Sequence, residues 1–151
     1  MEEKINLKKE LIDACIEKQS QAVESLKVAV NEAQNSANEY GAPKDRYDSY
    51  RTQLLRKRDM FAKQLQQALT QLEALHKISV DKELERVEFG AVVITSMQKI
   101  FVSVSLGKIE LQGDEFYAVS PHVPIVQALN GKKAGENVLF NGRNIEIKEV
   151  F

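Results

Sequence analysis

Tyr40-Gly41-Ala42-Pro43 is the one stretch in the first 78 residues at which the sequence obliges a helix to stop. Gly41 can adopt the positive φ that ends a helix, and Pro43 blocks helical continuation. The segments on either side are each more than thirty residues long and carry helical patterns. A loop of about four residues can join helices of this length only if they run antiparallel. The sequence therefore predicts an antiparallel helical hairpin over residues 1–78, with its tip at 40–44.

The first helix of this hairpin is expected to begin after Asn6, a good N-cap residue, and to run to about Glu39. Its apolar residues recur at spacings of three, four or seven, which is one helical stripe. Toward the tip the stripe shrinks to alanine, and small side chains allow a partner helix to approach closely. The stripe consists of Leu7, Leu11, Cys15, Ala22, Leu26, Ala29, Ala33 and Ala37.

The second helix is expected from about Lys44 to His76. Its apolar residues repeat every seven positions, with leucines at the alternate positions, which is a heptad pattern. The pattern is interrupted at Arg51 and Arg58. The heptad residues are Tyr47, Leu54, Phe61, Ala68 and Leu75, together with Leu65 and Leu72.

Charged side chains cluster around the predicted tip. The acidic ones are Glu39, Asp45 and Asp48; the basic ones behind them are Lys44, Arg46, Arg51, Arg56, Lys57 and Arg58. Acidic residues in the first turn of a helix complement its dipole, so Asp45 and Asp48 have an ordinary structural explanation. Glu39 lies at a helix C-terminus, where the dipole disfavours it, and is more suggestive of function. The basic residues form either a solvated face or a strip that meets phosphates while the acidic tip meets a metal.

From Val87 onward the apolar period changes from about 3.6 to 2, which indicates strands. Residues 79–86 are polar and predict a linker, and residues 87–151 predict a small, mostly antiparallel sheet. Pro124 to Leu129 predicts one short helix, because proline opens it and Gly131 follows it. Asn141-Gly142 predicts a hairpin turn. The expected fold class is therefore α+β: a long helical hairpin followed by a small β domain.

Composition excludes several classes of function. The chain has 151 residues and a net charge of −1, which argues against nonspecific coating of nucleic acid. Neither an amino-terminal signal peptide nor a membrane-spanning run is recognisable, and a single cysteine suits a reducing cytoplasm. Cysteine and histidine are too sparse for a stable metal site. Because His122 has no second titratable group nearby in sequence, it is expected to be a loop residue.

The carboxy-terminal pieces resemble the bacterial Gre transcript-cleavage factors. Val87-Glu88-Phe89-Gly90-Ala91-Val92-Val93 looks like the opening of that family's carboxy-terminal domain. Tyr117 to Ser120, followed by Val123 to Lys132 and Lys133 to Val138, resembles its central motifs. The resemblance covers the whole chain in layout and about the last 65 residues in motif. The departures are an apparent insertion of Pro121-His122 and a tip without the family's acidic pair, which stands seven and four residues before a tyrosine.

The resemblance implies a bacterial, cytoplasmic, monomeric transcription elongation factor with an FKBP-like β domain, and DNA binding is among the properties it carries. Such a protein binds RNA polymerase, and its hairpin enters the secondary channel. Glu39, Asp45 and Asp48 would share the polymerase's Mg²⁺, and the basic strip would contact the nascent RNA near its 3′ end. No cofactor would be tightly bound, and the polymerase would be the catalyst. The docking region implied by the motifs consists of Pro124, Ile125, Ala128, Leu129, Gly131 and Lys132.

Two mechanisms are open within this interpretation: the tip carboxylates stimulate cleavage of backtracked RNA, or the hairpin occupies the channel and modulates the active site without cleavage. A different class of function also fits the helices. The chain would then be a coiled-coil dimerisation or adaptor protein whose small β domain binds another protein. The intramolecular hairpin is favoured because both apolar stripes are present in one chain and the loop between them is short.

Overall fold

The computed structural model describes residues 2–42 and 49–151, and in this part of the chain the fold is α+β, as predicted. Two long helices come first, and six strands with one short helix follow. The elements are α1 (Glu2–Tyr40), α2 (Tyr50–His76), β1 (Val92–Thr95), β2 (Lys99–Val102), β3 (Gly107–Leu111), β4 (Asp114–Val119), α3 (Pro124–Leu129), β5 (Asn137–Phe140) and β6 (Arg143–Val150).

Two compact units make up the chain. One comprises Met1–Lys18 and Ala74–Phe151 and is called the sheet unit below. The other comprises Gln19–Glu73 and is called the hairpin unit. The helix α1 thus contributes residues to both units, and the sheet unit is built from two separate segments of sequence.

The hairpin unit pairs α1 and α2 in antiparallel directions. Gln19 bonds to the carbonyl of Ala68, whereas the rings of Tyr40 and Tyr50 meet at the other end. Residue numbers therefore increase along α1 in the direction in which they decrease along α2. The predicted antiparallel pairing of the two long helices is confirmed for the described residues.

Heptad spacing accounts for the seam between the two helices, because the less exposed residues alternate at steps of three and four. On α1 they are Gln19, Val23, Leu26, Val30, Ala33, Ala37 and Tyr40; on α2 they are Arg51, Leu54, Arg58, Phe61, Leu65, Ala68 and Leu72. The predicted heptad of α2 is confirmed over these described positions. The predicted stripe of α1 is wrong at Ala22, which is exposed, since the seam passes through Val23 instead.

The helix α1 starts earlier than predicted. It begins at Glu2, so Asn6 lies inside it, and two glutamates occupy its first turn, where they complement the helix dipole. The helix α2 is described from Tyr50, and the predicted start near Lys44 lies outside the described residues. Its first turn is closed by the amide of Gln53, which donates to the carbonyl of Ser49 at 2.9 Å.

In the described part of the chain the six strands form one sheet in the order β3-β4-β2-β1-β6-β5. Four of the neighbouring pairs are antiparallel. The pair β2–β4 is parallel, with Ile100 opposite Tyr117. The connection between these two strands contains β3, which forms its own hairpin with β4. The predicted mostly antiparallel sheet is thus a mixed sheet with one parallel pair.

Both faces of the sheet are covered. Successive side chains of a strand point to opposite faces, and Val92 and Val93 of β1 accordingly belong to different clusters. One cluster joins Phe101 and Phe116 to helix residues, including Leu11 and Cys15 of α1. The other contains Val126 and Leu129 of α3, with Ile145 and Ile147 of β6 among its members. The short helix α3 is therefore fixed to the sheet by its own apolar face.

Residues 79–86 are not purely polar in their packing. Val80 packs against the cluster that contains Phe101, and Leu84 packs against the cluster of α3. Arg86 forms an isolated antiparallel bridge with Lys133. Among the described residues, no helix combines the length and the apolar character that a membrane crossing requires.

Candidate functional site

The end of α1 is shaped by a glycine. Gly41 has a φ of 82°, a left-handed conformation that L side chains rarely adopt. Its amide donates to the carbonyl of Ala37 at 3.1 Å and thereby satisfies one of the last carbonyls of the helix. The predicted stop at this glycine is therefore found in the structure.

Two tyrosines join the helix ends beside the tip. The rings of Tyr40 and Tyr50 lie 4.8 Å apart between centroids at an angle of 63°, which is an edge-to-face contact. Such pairs add roughly 0.5–1.5 kcal/mol beyond the area they bury. The contact closes the described end of the hairpin unit within one chain.

Of the three predicted tip carboxylates, the structure describes Glu39. Its side chain is exposed on the last turn of α1, next to Tyr40. Asp45 and Asp48 lie outside the described residues, as do Lys44 and Arg46. Within residues 2–42 and 49–151, no group of three or more acidic, histidine or cysteine side chains could hold a metal ion.

The basic residues of α2 do not form one strip. Arg51 and Arg58 lie on the seam that faces α1 and are half-buried, whereas Arg56 and Lys57 are exposed. The ammonium group of Lys57 lies 5.9 Å from the ring centroid of Phe61. The structure thus separates a seam pair from a solvent-facing pair.

Arg58 is held on the seam by polar contacts. Its Nη1 donates to Oε1 of Gln34 on α1 at 2.6 Å. Its Nε and Nη2 donate to Oδ1 of Asp59 at 2.9 and 2.6 Å. These bonds occupy the guanidinium group, so its first role in the free protein is to join the two helices.

Arg51 differs from Arg58 in its hydrogen bonding. Its Nε is buried and has no hydrogen-bond partner in the described chain. A buried donor without a partner costs about 1–3 kcal/mol. Because the fold tolerates this cost next to Tyr50, at the described end of the hairpin unit, Arg51 is the better candidate for a role beyond packing.

A second candidate surface surrounds α3 in the sheet unit. Pro124 and Lys132 are exposed, and Ile125, Ala128 and Gly131 are half-buried. Leu129, a member of the predicted docking region, is only 1% exposed and belongs to the core. The region therefore consists of a buried anchor with accessible residues on either side.

Backbone bonds tie the end of α3 to the segment before β1. The amide of Gly131 donates to the carbonyl of Val87 at 2.8 Å, and the amide of Val87 donates to the carbonyl of Lys132 at 2.9 Å. Arg86 adds a bond from Nη1 to the carbonyl of Gly131 at 3.0 Å. The two motifs that carry the sequence resemblance are thus bonded to each other in the fold.

Sequence reasoning missed the groove beside this region. It has a volume of about 640 Å³, and Pro124 and Ile125 form one side of it. Met97, Phe140 and Arg143 contribute to its lining. The Asn141-Gly142 turn signal could have located the last two, because it predicts that residues 140 and 143 face each other across a hairpin, as they do here.

His122 lies in the loop before α3 and is exposed. Its amide donates to Oγ of Ser120 at 3.1 Å. This local turn explains the residue without any chemistry, in agreement with the prediction of a loop position.

Comparisons with known proteins give similarity at the level of structure. No family model matches the chain, and no curated protein matches its sequence. One similar solved structure is the GreA factor homolog 1 (Gfh1) protein of Thermus thermophilus, at 16% identity and a TM-score of 0.34, with 90% of this chain and 94% of that chain covered. A second, described as the transcription factor Gfh1, has 20% identity and a TM-score of 0.33, with coverages of 91% and 93%.

Proposed function

We propose that this protein is a transcription elongation factor that binds RNA polymerase through the sheet unit and inserts the tip of its hairpin into the secondary channel. The observation that carries the proposal is the intramolecular pairing of α1 and α2 up to Tyr40 and Tyr50. Residues 19–40 rise about 30 Å at roughly 1.5 Å per residue, which suits a probe that reaches a recessed active site.

Glu39 is the described residue best placed to act at such a site. Its carboxylate is exposed at the last turn of α1, where the helix dipole gives it no stabilisation. With Asp45 and Asp48, it would offer the oxygen ligands that a weakly held Mg²⁺ of the polymerase accepts. The polymerase remains the catalyst, and this chain has the role of positioning carboxylates.

The exposed basic pair suits contact with RNA. Arg56 and Lys57 are exposed on α2, so they can approach a phosphate backbone. Substituting both by glutamine is expected to weaken binding to a backtracked complex and to lower its salt dependence.

A cleavage assay tests the proposal. Purified protein is added to a stalled, backtracked elongation complex, and the RNA is followed from its labelled 5′ end. The cleavage mechanism predicts RNA shortened at the 3′ end. Glu39→Ala should slow this at least tenfold, whereas Glu32→Ala, an exposed glutamate two turns earlier on the same helix, should not.

Two further results separate the remaining possibilities. Binding without cleavage, with slowed nucleotide addition, would favour a modulator that acts by occupying the channel. Absence of binding to polymerase would contradict the proposal. Sedimentation is an independent check: a monomer is expected, and a dimer that dissociates only when the helices are broken would instead favour a coiled-coil dimerisation protein.

A further inference from the structure

Lys8 is a buried lysine on α1 in the sheet unit. Its side chain is 2% exposed, and its Nζ has no hydrogen-bond partner within residues 2–42 and 49–151. Nearby Leu11 and Ile12 are buried in the core. An ammonium group in such a place loses its hydration, and lysine is almost never fully buried without a partner.

Two cavities of about 200 Å³ each have this residue in their lining. Both are lined by Lys8, Lys82 and Leu84. The first continues to Val80 and Phe151, which give it apolar walls. The second continues to Lys77 and Ser79. Because a water molecule takes about 30 Å³ of liquid volume, either cavity has room for a small polyatomic ligand.

The charges around the cavities favour an anionic ligand. Lys4, Lys77 and Lys82 line them together with Lys8; the acidic lining residues are Glu83, Glu85 and Glu88. Burial lowers the pKa of Lys8, and the negative charge of Glu88 opposes this shift only in part. None of these glutamates hydrogen-bonds to Nζ in the described chain, so the donors of the ammonium group are left for a ligand.

We propose that the first of these cavities binds a small oxyanion, a phosphate or carboxylate group, whose charge is neutralised by Lys8. The group accepts hydrogen bonds from Nζ, and an apolar remainder of the ligand lies against Val80, Leu84 and Phe151. Lysine recognises such groups as a compact point charge, and charge-assisted bonds of this kind are about twice as strong as neutral ones. The site lies within the sheet unit, and this inference does not rest on the proposed function.

The test uses the full chain and two probes, inorganic phosphate and butanoate, each compared with chloride at equal ionic strength. Thermal unfolding and titration calorimetry measure binding. Lys8→Met keeps the length of the side chain and removes the charge; Lys9→Met is the matched control, because Lys9 is exposed and outside both cavities. The wild type and Lys9→Met are expected to be stabilised by a probe, and Lys8→Met is expected to bind it at least about tenfold more weakly.

The two probes distinguish the source of the anion. A response to phosphate alone supports a phosphate ligand, and a response to butanoate alone supports an organic carboxylate. Equal binding by Lys8→Met, or no effect beyond chloride for either probe, would overturn the proposal. If Lys8→Met fails to fold, titration of the wild type followed by the ¹³Cε NMR signal of Lys8 gives the same decision, since an unmoved signal at saturating probe contradicts a site at this residue.

Discussion

Arg58 of α2 donates a hydrogen bond of 2.6 Å to the side chain of Gln34 on α1, at a heptad position where packing alone would select an apolar residue. A polar contact on such a seam fixes the register of two helices, because a shifted pairing would leave the groups without partners. Gln19 does the same lower on the hairpin, where Nε2 donates to the carbonyl of Ala68 at 2.9 Å and to Oε1 of Gln71 at 3.0 Å. The seam thus gives up some apolar burial and gains a defined register between α1 and α2.

The two hydrogen bonds from Gln19 should contribute measurably to the free energy of unfolding. Gln19→Ala removes a buried donor and is expected to lower the free energy of unfolding by about 1–2 kcal/mol. Gln21→Ala is the matched control, because Gln21 is exposed on the same helix and its loss should change stability by less than about 0.5 kcal/mol. Urea unfolding followed by circular dichroism measures both, and equal effects would contradict a role for Gln19 in the seam.

Substitution of Arg51 should raise the free energy of unfolding, whereas substitution of Gln19 lowers it. Arg51→Met removes a buried Nε that has no partner in the described chain and adds apolar surface to the seam. The variant is expected to be more stable by about 1 kcal/mol, because it removes the desolvation cost of the unpaired Nε. Arg56→Met, at an exposed position, should be nearly neutral.

An activity measurement shows whether Arg51 has a function or only a place in the seam. A more stable Arg51→Met with weaker action on elongation complexes would mean that the residue is kept for function. Unchanged action would leave Arg51 as a costly seam residue without a functional role.

Leu129 and Lys132 should respond differently, although both lie in the predicted docking region. Leu129→Ala empties a core position and is expected to cost about 2–5 kcal/mol, so weaker polymerase binding by this variant would reflect loss of fold. Lys132→Ala should keep stability within about 0.5 kcal/mol and reduce polymerase affinity. Stability is read from thermal unfolding and affinity from a polymerase-binding assay, and full affinity of folded Lys132→Ala would remove this residue from the docking surface.

The buried thiol of Cys15 should make stability depend on alkaline pH. Burial raises its pKa from 9.0 to about 11, the nearby Lys18 having the smaller, opposite effect. Well below pH 9 the thiol is protonated in both the folded and the unfolded state and contributes no pH dependence. Between pH 9 and 11 the unfolded chain loses this proton first, so stability falls, by at most about 2–3 kcal/mol from this group.

Comparison with Cys15→Ala isolates that effect, because the lysines titrate equally in both proteins. The stability of the wild type should fall more steeply from pH 9 to 11 than that of the variant. Parallel curves would contradict the raised pKa. A thiol reagent at pH 8 gives a second measurement: native Cys15, which is 0% exposed, should react only after unfolding.

Sequence periodicity predicted most of the fold, and its failures have identifiable causes. The heptad of α2 and the bounds of α3 were found because spacing and proline position specify them locally. The error at Ala22 arose because a step of seven from Cys15 and two steps of four to Val23 are both helical, and only the partner helix decides between them. The start of α1 was placed too late because Asn6 is a good N-cap residue that tertiary packing keeps inside a helix.

Contacts between residues far apart in the chain could not be predicted from the sequence. Nothing local to β2 or β4 indicates that they pair in parallel, since that pairing depends on β3 forming its hairpin at Gly113. The burial of Lys8 was equally hidden, because a lysine within a charged helical segment reads as solvated. The tip carboxylates could be named from composition, but whether they act together depends on contacts that composition does not contain.

The sheet unit is assembled from both ends of the chain, Met1–Lys18 and Ala74–Phe151, with a helical hairpin between them. Bringing such distant segments together normally carries the entropy of closing a long loop. Contacts within the hairpin are local, so it can form early and quickly. Once Gln19 of α1 has bonded to Gln71 of α2, the two helical segments at the base of the hairpin unit already lie side by side. Formation of the hairpin therefore shortens the loop that must close when Met1–Lys18 and Ala74–Phe151 assemble, and it lowers the entropic cost of that step.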